Sequence, residues 1–510
     1  MTLPPPRAGF REPARLRRFL AGAGFHEAGV TERLELSSLF AFRTLRGGRT
    51  SATTPTDRLG LLIHLFMDGE PAPEAEARRL LGEEGLGLLQ EAGLLLPDPH
   101  EPSTLAAAAL LYPVGPLLIA SDVNEQAPGA SPDGGALRPD AVYPALTGAV
   151  RGFLRDLPDP TEVSADARVL DLCAGTGVAG LLLASRAGEV VLADLTERCS
   201  HFARFNAALN EVGNVRVAQG DLWEAVADER FDVVVAHPPY VPSETDQLIF
   251  RDAGIDGERL FRGVVAGAPQ HLNPGGLLYV RGTAVDRVDA PVESRLRAML
   301  GEAHGDFDVF VAISDLHSPE EYLSRASGAA SEAGVDRLSR ARRLREGGVA
   351  AFVHGTFLVQ RREAPREVAT VRRVRAPTAG RRALDWMRRS EVQALRPHAP
   401  RELLRRLPRL REGVEMEVRY RMEEGELRNR GCRVGVDTPF RVAVDLPAGA
   451  SRFLPLFSGR RHTLRVLEEG VKRGMIPPGT PPDQFAGLAQ ALILAGILEI
   501  EGAEPPPPEA

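Results

Sequence analysis

The chain has 510 residues, enough for two to four domains at about 150 residues each. Hydrophobic residues make up 43%, which excludes an intrinsically disordered chain, and a net charge of −7 excludes a protein that coats a polyanion along its whole surface. Aromatics are only 5%, against 51 glycines and 41 prolines, so the cores are expected to be Ala, Leu and Val between many turns.

In chain order, apolar residues at helical spacing (Leu59, Leu62, Ile63, Phe66) predict a helix over Asp57–Met67, and a second follows over Glu74–Leu81. Two apolar runs, Leu105–Tyr112 and Leu117–Ala120, joined by Pro113-Val114-Gly115-Pro116, read as a β-hairpin. Helices followed by a hairpin suggest a helical, winged-helix-like domain over 1–123, and a Gly/Pro-rich linker covers 124–139. From 140 to 362 short apolar runs alternate with helical patterns. Val169–Leu172, Val190–Ala193, Val215–Ala218, Val233–Ala236, Leu277–Val280 and Phe307–Ile313 read as strands, and Val178–Arg186, Glu197–Leu209 and Glu258–Leu272 as helices. The runs Ala350–Phe352 and Phe357–Val359 are expected to close the sheet as a final hairpin. This alternation argues for an α/β fold with a parallel sheet covered on both faces.

An arginine-rich connector covers 363–411. From Arg361 to Arg411, 16 arginines face five acids, a net of +11 that leaves the rest of the chain at −18. Such a stretch is either a solvated face or the seat of an anionic partner. Helical patterns at Thr463–Leu467 and Phe485–Ala495 echo the region Asp57–Leu96 and predict a second winged-helix-like region, α+β in character, over 412–502, before a disordered tail at 503–510. Lys472 is the only lysine; Ala, Gly, Pro and Arg are enriched together, which reads as codon bias. Cys173, Cys199 and Cys432 form no CxxC pair and no zinc spacing, and an odd count suits a reducing compartment. Three prolines occupy the first ten residues where a secretory leader needs an apolar run, and there is no apolar run of about 18 residues. The expectation is a cytoplasmic protein with no membrane partner and no metal.

Four places at expected strand ends carry chemistry. Val169-Leu170-Asp171-Leu172-Cys173-Ala174-Gly175-Thr176-Gly177 is a strand running into a glycine turn that opens a helix, where free N–H groups and a close backbone can meet a ligand. Gly180 stands three residues after Gly177, as in a dinucleotide fingerprint, but Asp171 and Cys173 fit a nicotinamide fold less well. Asp194 ends the second strand, where an acid can accept both ribose hydroxyls, and Asp221 follows the third, where it can accept the exocyclic amine of an adenine. Either acid could instead cap the helix after it, Cys173 could be a small packing residue, and Arg251 with Asp252 could be a surface ion pair or a substrate contact. In Ala236-His237-Pro238-Pro239-Tyr240 two prolines stop the strand and withhold backbone donors, leaving carbonyl oxygens at the mouth of the sheet.

These elements, in this order, resemble class I S-adenosylmethionine-dependent methyltransferases with an Asn/Asp-Pro-Pro-Tyr motif, and more narrowly the release-factor glutamine methyltransferases and their methyltransferase small-domain relatives. The run Phe250-Arg251-Asp252-Ala253-Gly254-Ile255-Asp256-Gly257-Glu258-Arg259-Leu260 is similar to a segment that follows the motif in that branch. The resemblance covers roughly Pro144 to Arg362, and the first flank resembles the N-terminal helical module of some bacterial members. It implies a Rossmann-like, mostly parallel seven-stranded sheet and S-adenosyl-L-methionine as cofactor. The pocket would be shaped by Asp171, Cys173, Gly175 and Gly177, with Asp194 on the ribose and Asp221 on the adenine amine. His237, Pro238, Pro239 and Tyr240 would receive a planar nitrogen, either a protein glutamine amide or the exocyclic amine of a base in RNA or DNA.

The departure is His237, where the family has Asn or Asp. A neutral imidazole keeps one acceptor nitrogen and a protonated one keeps none. Neutral His237, with the Pro238 carbonyl, is expected to accept the N–H groups, and methyl transfer to fall as pH drops through the histidine pKa. A non-catalytic nucleic-acid-binding protein that retains the cofactor fold is the competing reading of the same residue.

Overall fold

The computed structural model describes residues 4–42, 55–122, 138–159, 162–244, 247–326, 334–396, 399–502 and 504–506. It divides into two compact units, Met1–Ala284 and Val285–Ala510. The linker expected over 124–139 lies outside the described residues except for 138 and 139, and of the tail expected over 503–510 only 504–506 are described.

The first unit opens with α1 (Pro13–Gly22), α2 (Glu27–Arg33) and α3 (Arg58–Phe66), the last capped by Asp57 accepting from the Gly60 N–H. α4 (Glu74–Glu91) is two helical stretches joined at Gly82, whose φ of 72° and ψ of 169° are not helical, so the first stretch ends at Leu81 as expected and a second follows directly. β1 (Ala72–Pro73), β2 (Leu95–Pro97) and β3 (Thr104–Ala107) form a small antiparallel sheet in the order β1-β3-β2. The apolar run Leu105–Tyr112 is divided: its first part belongs to β3, and after the buried Ala108-Ala109 step its second part enters β4 (Leu110–Val114). β4 pairs with β5 (Leu117–Ser121) across Gly115, at φ 56°, so the expected hairpin is present but shorter. Uninterrupted hydrophobicity conceals such a division because both halves are buried.

After α5 (Gly148–Asp156) come β6 (Arg168–Leu172), α6 (Val178–Leu183), β7 (Glu189–Asp194), α7 (Glu197–Leu209), β8 (Val215–Gln219), β9 (Phe231–Ala236), α8 (Arg259–His271) and β10 (Leu272–Arg287). All four strand pairings in the order β10-β9-β6-β7-β8 are parallel. β6 and β7 are buried almost throughout, as strands covered on both faces must be, whereas the edge strand β8 is half-exposed. The chain advances from β6 to β8 in one direction and returns beside β6 as β9. That reversal opens a crevice at the carboxyl ends of β6 and β9, where open α/β sheets bind ligands.

Gly180 keeps α6 against the sheet. A Cβ there would stand 2.3 Å from Leu192 Cδ2 and 3.0 Å from Asp171 Cβ. Gly180→Ala is expected to lower stability by about 1–3 kcal/mol, the usual cost of overpacking, and urea unfolding measures it.

The second unit carries α9 (Val292–Met299), β11 (Phe307–His317), α10 (Pro319–Ala326), α11 (Gly334–Glu346), β12 (Val349–Arg361), β13 (Thr370–Arg375), α12 (Arg381–Ala394) and α13 (Ala399–Leu403). It ends with β14 (Arg409–Leu410), β15 (Glu415–Glu423), β16 (Glu426–Val436), β17 (Phe440–Leu446), α14 (Ala450–Phe453), α15 (Thr463–Lys472), α16 (Pro482–Leu494) and β18 (Leu498–Glu499). The runs Ala350–Phe352 and Phe357–Val359, expected to form a hairpin, are instead one strand, β12, antiparallel to β11. Gly355 between them makes no turn; it lets the Ala312 carbonyl pass 2.3 Å from where a Cβ would stand, at a register shift in the ladder. The chain is mixed α/β, built on a mostly parallel Rossmann-like sheet. No helix among the described residues is long and apolar enough to cross a membrane.

Much of the arginine excess is spent inside this second unit. Arg366 grips the fully buried Asp308, Arg372 bridges Asp286 (2.7 Å) and Glu293 (2.9 Å), and Arg373 meets Glu391 at 2.7 Å. Arg375 is buried and donates to the Ala379 carbonyl, and Arg411 donates to that of Thr438. Arg396, Arg405 and Arg406 remain exposed.

Candidate active site

The crevice is a cavity of about 310 Å³ lined by three groups of residues from the first unit. The first is the β6–α6 loop. Cys173, Gly175 and Gly177 all have positive φ, at 61°, 53° and 78°, so every second residue turns the backbone. Gly175 donates its N–H to Asp194 Oδ2 at 2.8 Å, and a Cβ on Gly175 would meet nothing within 4 Å. Glycine here leaves room for a ligand. A Cβ on Gly177 would instead stand 2.7 Å from Leu192 Cδ1, so that glycine serves the turn and the packing.

The second group is the two acids. Asp194, at the tip of β7, holds the Gly175 and Thr196 N–H groups and is pushed above the usual carboxylate range by burial, with its backbone donors opposing. Asp221 precedes the short 3-10 turn Leu222–Val226 but makes no capping hydrogen bond, and it is exposed at the cavity wall. α7 is capped by Thr196, whose Oγ1 accepts from the Cys199 N–H at 3.0 Å.

Asp171 stands apart from these. It is buried beneath the loop, outside the cavity lining, and accepts the Gly180 N–H at 2.8 Å. Burial pushes it up to about 7, the Gly180 N–H opposes that rise and nearby Asp194 adds to it. The folded state therefore holds a proton that the unfolded state releases near 3.8, and this group's contribution to stability is lost as pH rises through about 7. Cys173 lines the cavity with its thiol pushed up by burial, so it is no thiolate nucleophile.

The third group is His237, Pro238, Pro239 and Tyr240 after β9, with the segment that folds back over them. Val241 pairs with this return segment, donating to the Arg251 carbonyl at 3.0 Å and accepting from the Ala253 N–H at 3.0 Å. Phe153 of α5 stacks on the His237 ring at 5.1 Å, and Tyr240 lies tilted beside it at 5.7 Å. His237 Nε2 is buried and has no hydrogen-bond partner among the described residues. Burial, and then the positive charge of Arg281, push His237 down to about 4. Arg281, itself buried on β10, is held by Asp156 of α5 at 3.2 Å.

Arg251 lines the cavity half-exposed, 4.0 Å from the buried Asp252, whose Oδ2 accepts the Leu248 N–H. Tyr143 and Phe250 stack at 5.5 Å at the rim. Tyr143, Phe153, Phe250, Arg281 and Asp156 are the contributors that sequence reasoning missed.

The position of His237 alters the expected pH response. A histidine neutral down to about pH 4 leaves the rate flat from pH 5.5 to 8, with the fall displaced toward pH 4. The unfolded chain takes up that proton near 6.5, so stability is lost as pH falls from 6.5 toward 4. Thermal unfolding should show the wild type losing ground to His237→Asn across that window, and equal slopes would refute the lowered pKa.

A model of the methyltransferase small domain matches residues 149–305. The chain is 29% identical over 180 residues to the ribosomal protein uL3 glutamine methyltransferase of Bradyrhizobium diazoefficiens, covering 32% of this chain and 55% of that protein. It is 33% identical over 127 residues to the release factor glutamine methyltransferase of Geobacter sulfurreducens, covering 22% and 44%. Thus the chain spans about half the length of these two curated relatives. A putative protein N5-glutamine methyltransferase of Methanocaldococcus jannaschii is 31% identical over 151 residues, 28% of this chain and 73% of that one. Among solved structures, a ribosomal protein L11 methylase from Lactobacillus delbrueckii subsp. bulgaricus aligns with a TM-score of 0.24 and 16% identity, over 42% of this chain and 77% of its own.

Proposed function

Because the chain belongs to the methyltransferase small domain family, whose members use S-adenosylmethionine, we propose that it methylates a planar nitrogen of a macromolecule, a protein glutamine amide in the first place. The observation that carries this reading is the unpartnered, neutral Nε2 of His237 beside two prolines in the cavity wall.

The cavity suits the cofactor: Gly175 leaves open space, and two carboxylates stand at successive strand ends among largely apolar walls. S-adenosylmethionine, when bound, supplies an electrophilic methyl group on a sulfonium. Asp194 would accept the ribose hydroxyls through lone pairs its backbone donors leave free, and the uncapped Asp221 would accept the adenine amine. Cys173 and Gly175 would line the wall. Asp171 and Gly177 would act from behind, holding α6 and the turn.

At the other end, an amide or aromatic amine nitrogen is a poor nucleophile because its lone pair is delocalised. Acceptors for both its N–H groups favour a pyramidal nitrogen and stabilise the positive charge that builds during attack. His237 Nε2 and the Pro238 carbonyl would be those acceptors, with the imidazole plane fixed by Phe153 and Tyr240 flanking the planar group. The nitrogen sheds one proton as it is methylated. Neutral Nε2 would take that proton, which an asparagine could not do.

The flanks belong to the same reading. Helices α3 and α4 with the β1-β3-β2 sheet, and α15 and α16 with the β14–β18 pair, support winged-helix-like modules suited to a large substrate. The test is incubation of the full chain with methyl-labelled cofactor and separated protein and RNA fractions of a host extract. Label is expected in protein, recovered as N5-methylglutamine after digestion. Label confined to RNA would transfer the reading to the exocyclic amine of a base.

A further inference from the structure

Two asparagines on one face of α7 make a join for which the chemistry described so far has no use. Asn206 and Asn210 lie four residues apart, at 0% and 5% exposure. A buried primary amide is costly unless its donors and acceptor are matched, and both are. Asn206 accepts the Ala120 N–H at 2.8 Å and donates to the Ala120 carbonyl at 2.9 Å. Asn210 treats Leu118 of β5 the same way, at 2.9 and 2.8 Å.

Each side-chain amide thus stands in for a peptide group of a missing neighbouring strand. The spacing allows it: one helical turn advances about 5.4 Å and two strand residues about 6.6 Å, so residues four apart on α7 reach alternate residues of β5. Leu118 and Ala120 would otherwise present bare backbone along the edge that β4 does not cover.

The two asparagines differ in their remaining donor. Asn210 gives its second N–H to the Asn206 carbonyl of the same helix, at 2.8 Å. Asn206 gives its second N–H to the Thr176 carbonyl, at 2.9 Å. Thr176 lines the cavity between Gly175 and Gly177, in the loop that turns at every second residue. One rigid planar amide therefore holds the β4–β5 hairpin and the cavity loop together. Just beyond β5, Asp122 pairs with Arg198 of α7 (Nε–Oδ2 2.7 Å) and accepts the Val142 N–H at 2.8 Å, beside the rim residue Tyr143.

We propose that Asn206 is a positioning residue for the cofactor loop, acting through the Thr176 carbonyl, and that it makes the β4–β5 hairpin a working part of the cofactor site. This rests on the cofactor reading of the cavity. By reciprocity, cofactor held in the loop must in turn steady the hairpin.

The test uses the full chain and S-adenosylhomocysteine as the probe. Calorimetry on the wild type comes first; no binding there would overturn the cofactor reading itself, and this proposal with it. Asn206→Ala and Asn210→Ala each strip two hairpin hydrogen bonds, at Ala120 and at Leu118 respectively, so both are expected to lower the melting temperature. Only Asn206→Ala is expected to weaken probe affinity, by about tenfold, the value of one lost buried hydrogen bond. Equal affinities in the two variants would reduce Asn206 to a packing residue. Hydrogen exchange on the wild type reads the same coupling without any variant. The probe is expected to slow exchange at the Leu118 and Ala120 amides, and unchanged exchange there overturns the proposal even if Asn206→Ala fails to fold.

Discussion

His237→Leu is expected to lower kcat by about a hundredfold or more while leaving cofactor affinity and melting temperature nearly unchanged. The magnitude is that of removing one charge-stabilising group from a pre-organised site. Leucine keeps an apolar side chain against Phe153 but offers no acceptor to the incoming nitrogen and no base for its proton. The pattern is diagnostic: loss in kcat with cofactor affinity intact separates an acceptor role from a structural one. His237→Asn restores the residue usual in this motif and keeps a side-chain acceptor for the incoming nitrogen, so it is expected to retain activity within about tenfold of wild type. Leucine variants that turn over at more than half the wild-type rate would remove His237 from the mechanism.

The second large effect belongs to Asp194. Its carboxylate holds the Gly175 N–H at 2.8 Å and the Thr196 N–H at 3.4 Å, and it is the acid proposed to accept the ribose hydroxyls. Asp194→Ala removes all of these at once. Hydrogen bonds to a charged group are worth about 1.5–3 kcal/mol each, so S-adenosylhomocysteine should bind about a hundredfold more weakly or worse. Asp194→Asn keeps one acceptor for Gly175 and should fall between. Asp171 should also respond, because part of its upward shift comes from the neighbouring Asp194 charge. Affinity within threefold of wild type in Asp194→Ala would take the ribose role away from this residue.

The parts of the site that could be read from the chain are those encoded locally. Gly175 and Gly177 mark a turn because few other residues adopt positive φ, and Pro238-Pro239 mark the end of β9 because proline cannot continue a strand. The strand–helix alternation from Arg168 to Arg287 is legible because most of its strands carry a short apolar run at their centre, such as Val190–Ala193 in β7 and Val233–Ala236 in β9. Phe153, Arg281 and Asp156 were not, because their roles arise from contacts across long separations: Phe153 reaches His237 from α5, and Asp156 meets Arg281 125 residues later. Asn206 and Asn210 did leave a signal, two amides one turn apart on an otherwise apolar helix face. Such a pair asks what it binds. Two strands were misjudged because burial hides boundaries: Leu105–Tyr112 divides between two sheets, and Val349–Arg361 runs straight through a glycine. Asp171, expected from the resemblance to shape the pocket, turns its carboxylate to the Gly180 N–H, a contact that a residue's place in a motif does not disclose.

The guanidinium pairs of the second unit have a consequence in strong alkali. Ion pairs built on lysine let go as the ammonium loses its proton near about pH 10.4, whereas guanidinium stays charged past about pH 12. Arg372 is pushed higher still by Asp286 and Glu293. With one lysine in 510 residues, at the end of α15, there is almost no ammonium for high pH to neutralise. A pairing habit built almost wholly on arginine thus gives the fold a tolerance for bases that its modest net charge does not announce.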